Sequence, residues 1–346
     1  MKPPESCLII GAGMAGLMAA RTLQAGGVRV TLLDKGRGPG GRMATRRVET
    51  PGGARGYFDH GAQFFTVRDA RFARYVAAWT SAGLAREWSR GFAPMPDTPA
   101  DLINDGHPRY CGTAGMNAIP RHLAQGLDLR LNALVERLDC DERTWRAHLA
   151  SGETVSAAAL ILTPPVPQSL VLLGRIMNAW PAALRQALAR ITYDPCFAIL
   201  ATLSGPSGLP DPGALQLSRE PIAWIADNHR KGISPAAHTV TIHAGPVFTR
   251  AHQDMPHDTV ARLLLDMAQF WLKASVQSWQ THRWRYSQPR LQYPHPCLLV
   301  RETPPLVFAG DAFGAPRIEG AALSGMAAAA ALCPGPTDAR KRGIDL

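Results

Sequence analysis

The chain has 346 residues, 46% of them hydrophobic and 18% charged, so it can bury a sizeable core and is long for one compact domain but comfortable for two. Its formal charge of +10, carried mostly by arginine, favours acidic partners, whether phosphate-bearing ligands or polyanions, without choosing between them. Six cysteines (Cys7, Cys111, Cys140, Cys196, Cys297 and Cys333) with no CxxC pair, and histidines with no HExxH pattern, argue against a metal site and a disulfide framework. The thiols then read as buried and free in a reducing compartment.

In chain order, the first segment is "SCLIIGAGMAGLMAARTLQAGGVRVTLLDKG". Cys7–Ile10 is apolar throughout, as a strand buried on both faces of a parallel sheet should be. The segment lacks the charged start and cleavage site of a signal peptide. Gly11, Gly13 and Gly16 form GxGxxG, helix continues over Leu17–Gln24 to Gly26 and Gly27, and Val28–Leu33 is a second strand ending at Asp34. In that setting the first glycine permits the tight turn, the second lets backbone approach a pyrophosphate, and the third allows close helix-to-strand packing. Asp34, eighteen residues after Gly16, would accept hydrogen bonds from ribose hydroxyls while the helix N-terminus faces the pyrophosphate. The pattern predicts a dinucleotide-binding βαβ unit.

The next stretch, "DKGRGPGGRMATRR", packs four glycines and five basic residues into fourteen positions. An RGG-like nucleic-acid tract would need repeats and flanking disorder, and neither is present. Gly40 and Gly41 permit close backbone approach, and Arg42 offers a charge-assisted fork to phosphate. The stretch resembles the loop of the amine-oxidase-like flavoproteins, in which an acid followed by GGR wraps the FAD pyrophosphate. That resemblance implies noncovalent FAD, held extended, and adds Ala15, Lys35, Gly41 and Arg42 to its contacts.

A cofactor of that length requires the chain to return to the sheet. Leu129–Leu138 and Thr144–Leu149 alternate apolar and polar residues as strands do, and Ala159–Leu162 is a further buried strand. The resemblance places Val135 against the adenine edge and Thr163 in the loop after that strand, where Pro164 and Pro165 stop a sheet. Leu306–Ala309 is the last apolar strand. By the same resemblance Gly310 and Asp311 meet the ribityl or phosphate region. The start of the helix Glu319–Ala331, with Ile318, Glu319 and Ala322, aims its amides at the flavin pyrimidine edge. The alanine-rich "AALSGMAAAAALC" is too short to span a bilayer, and the Arg340–Arg342 tail reads as solvated and frayed. Between the returns, strands at Cys196–Leu203, Ile222–Ile225 and Thr239–His243 and a helix at Val260–Ser275 would build a second domain. The expected class is α/β. A Rossmann-like, glutathione-reductase-like FAD-binding domain spans 1–58, 121–166 and 297–346, and an α+β substrate domain on a mixed or antiparallel sheet spans 59–120 and 167–296.

The stretches "FDHGAQFFTVRDARF", "YCGTAGMNAIPRHLA", "WIADNHRKG", "TIHAG", "HRWRYSQP" and "GDAFGAPRIEGAALSG" narrow the resemblance. Nearly end to end, the chain resembles the renalases, most of all their bacterial branch. The resemblance implies oxidation of NAD(P)H isomers that carry hydride at the 2- or 6-position, with NAD(P)+ returned and O2 converted to H2O2. It implies that Asn228 and Trp284 orient the nicotinamide, that His243 shapes the wall and that Gln63 lies beside the flavin. Phe64 stands where the family usually has tyrosine, so a hydroxyl is missing. From spacing alone Phe64, Trp284 and His243 also read as core, and Asn228 as a turn residue bonding its own backbone. A flavin amine oxidase is the alternative; such enzymes place a lysine near the flavin early in the substrate domain, and none occurs between Lys35 and Lys231. The expected partners are small nicotinamide dinucleotide isomers and O2, without nucleic acid, membrane or metal, in a cytoplasmic monomer or homodimer.

Overall fold

Strand β1 (Ser6–Ile10) is buried from Cys7 onward, and this requires partners on both edges and cover on both faces. The computed structural model describes residues 2–92, 106–217 and 220–333, so the basic tail at Arg340–Arg342 lies outside the described residues. The chain divides into two compact units, Met1–Gly41 with Pro120–Thr192 and Pro289–Leu346, and Arg42–Ile119 with Tyr193–Gln288. Elements are numbered along the whole chain.

In the first unit β1 lies between β2 (Arg29–Leu33) and β11 (Ala159–Leu162), parallel to both. Beyond them β7 (Asp128–Arg130) continues parallel to β2, and β18 (Pro305–Phe308) parallel to β11. Strand β17 (Leu298–Glu302) closes that edge antiparallel to β18. Helix α1 (Met14–Ala25) starts directly after Gly13 and packs against α8 (Arg317–Leu332). The two helices touch backbone to backbone: a Cβ at Gly325 would lie 2.0 Å from the Ala15 carbonyl oxygen.

A three-stranded antiparallel sheet, β8 (Val135–Cys140), β9 (Trp145–Leu149) and β10 (Thr154–Ala157), completes this unit with α4 (Val166–Leu173), α5 (Ala182–Ala189) and, from Pro120 onward, α3 (Ala118–Leu123). The alternation expected as one strand over 129–138 is split between β7 and β8. Asn132 turns with φ +53, and the amides of Asn132 and Ala133 donate to the Gly36 and Asp34 carbonyls, both at 2.9 Å. Those bonds pin this chain to the loop after β2, and pleating stops there.

In the second unit β13 (Ala214–Gln216), β14 (Ile222–Asp227), β15 (Thr239–Ala244), β12 (Tyr193–Leu203) and β16 (Val276–Pro289) form one sheet in that order. One face, carrying Ile199, Ile225, Val240 and Ile242, shares a core with Val260, Leu264 and Ala268 of α7 (His257–Leu272). The expected helix end at Ser275 is cut back because Lys273 adopts φ +55. On the opposite face, register sets His243 across from both Ala198 and Trp224. The hairpin β3 (Thr45–Glu49) with β4 (Arg55–Asp59), the pair β5 (Ala85–Ser89) with β6 (Arg109–Gly112), and helices α2 (Ala70–Ser81) and α6 (Pro246–Ala251) complete the unit.

Unit boundaries differ from the expected domain limits. The β3–β4 hairpin groups with the second unit, because Thr239 Oγ1 donates to the Tyr57 carbonyl at 2.9 Å and Gly56 lies against Thr239. Residues 167–192 and 289–296 group with the first, through α4 on β8, the Arg290 amide on the Thr192 carbonyl (2.8 Å) and the Tyr293 amide on the Ala312 carbonyl (2.7 Å). Among the described residues no helix is long and apolar enough to cross a membrane.

Because the α1–α8 contact has no room for a methyl group, Gly325→Ala must push the helices apart. An overpacking cost of about 1–3 kcal/mol is expected, seen as a lower urea midpoint at unchanged slope.

Candidate active site

Four loops of the first unit leave the carboxyl ends of parallel strands, where open α/β sheets place ligands: Gly11 after β1, Asp34 after β2, Thr163 after β11, and Gly310 with Asp311 after β18. Gly11 has φ +97, and a Cβ at Gly16 would lie 2.0 Å from the Gly11 carbonyl oxygen, so α1 is seated directly on the turn. Helix α1 has no side-chain cap at Gly13, and a Cβ there would meet nothing within 4 Å. A pyrophosphate thus has room beside the uncapped start of the helix, where the dipole favours negative charge.

Asp34 ties the cradle together. Its Oδ2 accepts from the Ala12 amide at 2.7 Å and its Oδ1 from the Gly36 amide at 2.6 Å. A carboxylate has lone pairs beyond these two bonds, so ribose hydroxyls can still donate to it. The Gly40 amide donates to the Ala12 carbonyl at 2.8 Å, and exposed Gly41 turns with φ +52. A backbone-lined cradle, an uncapped helix start and an acid fit the adenosine diphosphate part of FAD.

The remaining first-unit candidates divide in two. Gly310 (φ +141) donates its amide to Ser324 Oγ at 2.8 Å, Asp311 is 8% exposed beside it, and α8 begins without a side-chain cap at Pro316. Arg317 enters that helix at φ +75, a strained conformation for a residue with a Cβ. Ile318 and Glu319 occupy the first turn. Thr163 Oγ1 donates to the Ile10 and Gly11 carbonyls at 2.8 and 3.1 Å, supporting the glycine turn from beneath. Ala322 is wholly buried, Val135 is buried at the start of β8, Lys35 is exposed, and Ala15 is covered by the Gly325 contact.

Arg42 and Gln63 belong to the second unit. Arg42, expected as a phosphate fork, donates from Nη1 to the Ser287 carbonyl at 3.0 Å, and its guanidinium carbon lies 6.0 Å from the Tyr193 ring centroid. Its carbonyl accepts from the Ala62 amide at 2.8 Å, and a Cβ at Gly61 would lie 2.1 Å from the same oxygen. This contact seats the "HGAQ" segment. Gln63 is 6% exposed; its Nε2 donates to the Asp59 carbonyl at 2.5 Å, and its Oε1 is buried with no hydrogen-bond partner.

The His60 carbonyl organises the sheet face away from α7. Trp284 Nε1 donates to it at 2.8 Å, and His243 Nε2 at 3.1 Å, fixing two of the expected wall residues on one oxygen. The His60 and Trp284 rings stack with centroids 5.2 Å apart, and His282 packs edge-on against Trp284 at 4.3 Å. His60 and His282 were not expected from sequence. Their signal is positional: His60 adjoins the GAQ stretch, and His282 stands two residues before Trp284, on the same side of a strand.

Asn228 is placed differently from expectation. It is wholly buried, its Nδ2 donates to Thr241 Oγ1 at 3.0 Å and to the Thr239 carbonyl at 3.4 Å, and its Oδ1 accepts from the Asp59 amide at 3.4 Å. Both ends of its amide serve the protein, which leaves it holding Asp59 rather than a carboxamide. Phe64 packs among Trp88, Phe92 and Trp224, its ring 5.2 Å from Phe92 and 5.6 Å from Trp224. The missing-lysine argument also changes, because Lys231 itself enters the interior, its Nζ 2.8 Å from Asp59 Oδ2.

Comparisons with known proteins agree with this fold. A profile of the NAD(P)-binding Rossmann-like domain matches residues 9–79, and one of flavin-containing amine oxidoreductases matches residues 95–333. Renalase of Mus musculus is 24% identical over 296 residues, covering 81% of this chain and 84% of that protein. Among solved structures, cyclohexylamine oxidase of Brevibacterium oxydans aligns with a TM-score of 0.67 at 17% identity, over 95% of this chain and 99% of that one. A triple mutant of putrescine oxidase aligns with a TM-score of 0.70 at 15% identity, over 95% and 98%. At those identities the two structures show the fold alone.

Burial is the main force pushing His60 from the ordinary 6.5 down to about 3, and His243 and His282 down to about 4, with the nearby Arg46 adding to the fall at His60 and His282. The unfolded chain takes up protons below 6.5 that the folded chain refuses, so this contribution to stability is complete above 6.5 and drains away as pH falls towards 4. The melting temperature should therefore drop across that window, and less steeply in His60→Asn. An equal or steeper drop in the variant would contradict the assignment.

Proposed function

The chain belongs to the flavin-containing amine oxidoreductases, and from that premise we propose that it is an FAD-dependent oxidase of renalase type. On this reading its substrates are NAD(P)H isomers with hydride at the 2- or 6-position of the ring, released as NAD(P)+, with O2 as electron acceptor and H2O2 as the second product. The observation that carries the reading is the wall of neutral rings held on the His60 carbonyl.

Bound FAD supplies the hydride acceptor and the route to O2. The protein's part is positional. A dihydropyridine releases hydride without a base, because aromatisation drives the loss, so the residues must orient a ring and exclude water rather than move a proton. Trp284 and His243, tied to one oxygen, present rings whose orientation is set before substrate arrives. The product ring is a cation. Imidazoles kept neutral by burial do not repel it, and the indole face of Trp284 attracts it. Gln63 offers a buried acceptor, Oε1, to a ligand N–H or O–H. The chain's +10 charge suits a phosphate-rich substrate.

Amine oxidation is the competing reading, favoured by the family as a whole and by the entry of Lys231 into the interior. Against it, Lys231 Nζ is bonded to Asp59 and to the Gln63 carbonyl. Anaerobic mixing with 2- and 6-dihydro-NAD(P) separates the two. Rapid bleaching of the flavin by either isomer, and not by ordinary NADH, is the expected result; peroxide formed from simple amines with no response to the isomers would replace the proposal. In the same assay Trp284→Ala, which frees the ring's orientation, should lower kcat/KM by about 100-fold.

A further inference from the structure

Lys231 and Asp59 are both wholly buried, with Nζ 2.8 Å from Oδ2. The same Nζ donates to the Gln63 carbonyl at 2.5 Å, and Gln63 Nε2 donates back to the Asp59 carbonyl at 2.5 Å. Asp59 and Gln63 are thus linked twice, once directly and once through the lysine.

The side chains of Asp59 and Lys231 are held on further partners. Asp59 Oδ1 accepts from Thr45 Oγ1 at 2.6 Å and from the Met116 amide at 2.9 Å. The Lys231 amide donates to the Asp227 carbonyl at 2.8 Å, its carbonyl accepts from the Arg86 guanidinium, and its ammonium lies 4.9 Å from the Trp88 ring centroid. Gln63 Oε1 alone among the Gln63 polar side-chain atoms has no partner. Because the side-chain amide is planar, the bonds from Nε2 to the Asp59 and Gly61 carbonyls set the direction of Oε1, while the lysine holds the backbone from which that side chain starts.

Stability is a weak reason for the arrangement. Buried ion pairs are commonly replaced by packed apolar side chains without loss, while a buried acceptor without a donor is costly. We propose that Lys231 is a positioning residue that acts through Gln63, holding Oε1 where a ligand N–H or O–H meets it. This rests on the reading of Gln63 as a contact to the bound cofactor or substrate.

A double-mutant cycle on the full-length flavoprotein tests it: Gln63→Ala, Lys231→Met and the two together. The readouts are the position of the flavin's visible band, the anaerobic rate of flavin reduction by the dihydro isomers, and the melting temperature. Lys231→Met is expected to shift the band and slow reduction by about 10- to 100-fold when Gln63 is present. In the Gln63→Ala background it should change either readout by less than about twofold, whatever happens to the melting temperature. Equal effects in both backgrounds would make the lysine merely structural and overturn the proposal. No effect of Gln63→Ala on band or rate would remove the reading of Gln63, and the proposal with it. If no dihydro isomer reduces the flavin while the band positions remain coupled, the substrate reading fails alone. Should Lys231→Met not fold, Asp59→Asn, which keeps an acceptor for Thr45 and Met116, must show the same coupling to Gln63.

Discussion

Backbone laid directly on backbone, with no side chain between, is the constraint on which both units depend. In the first unit the missing Cβ atoms at Gly16 and Gly325 let α1 sit on the Gly11 carbonyl and α8 sit on α1. Only then does the uncapped start of α1 reach the edge of the sheet, beside the Asp34 carboxylate. In the second unit Gly61 closes on the Arg42 carbonyl, and that contact delivers the His60 carbonyl and the Gln63 amide to one face of the sheet. Each of these glycines is chosen for volume, and any side chain would displace the functional group that follows it.

The second unit also resolves the problem of polar groups in a low-dielectric interior. Its sheet has one face given wholly to the apolar core with α7. The other carries His243, Trp284, Asn228 and, from neighbouring loops, His60, Asp59 and Lys231. The imidazoles are kept neutral, and the charged side chains at the centre are paired. Unpaired charge would be expensive there. The result is a polar face on which the imidazoles stay neutral and the Asp59 and Lys231 charges offset each other.

Much of the first unit was legible because its signals are short-range. The apolar run Cys7–Ile10, GxGxxG and Asp34 lie within a few turns of one another, and each has one steric or hydrogen-bonding meaning in a strand–turn–helix context. Where tertiary contacts intervened, the reading slipped. Alternation continued past Arg130 in the sequence, but hydrogen bonds to the loop after β2 stopped the strand. Arg42 carries the right charge for a phosphate, and only the folded chain shows its guanidinium also meeting the Ser287 carbonyl and the Tyr193 ring. Asn228 had the right chemistry for a carboxamide, yet both ends of its amide are taken up by Thr239, Thr241 and Asp59.

What the sequence by itself determined is the nucleotide-binding unit and the family, since glycine spacing, strand burial and an acid at a strand end are local properties that survive any distant rearrangement. What only the tertiary structure decided is which side chains of the second unit meet. Asp59 finds Lys231 and His60 finds Trp284 across separations of 172 and 224 residues. Those pairings follow from strand order and register. A one-residue slip in β15 would turn His243 to the opposite face, and no periodicity within a single segment encodes which strand will lie beside it.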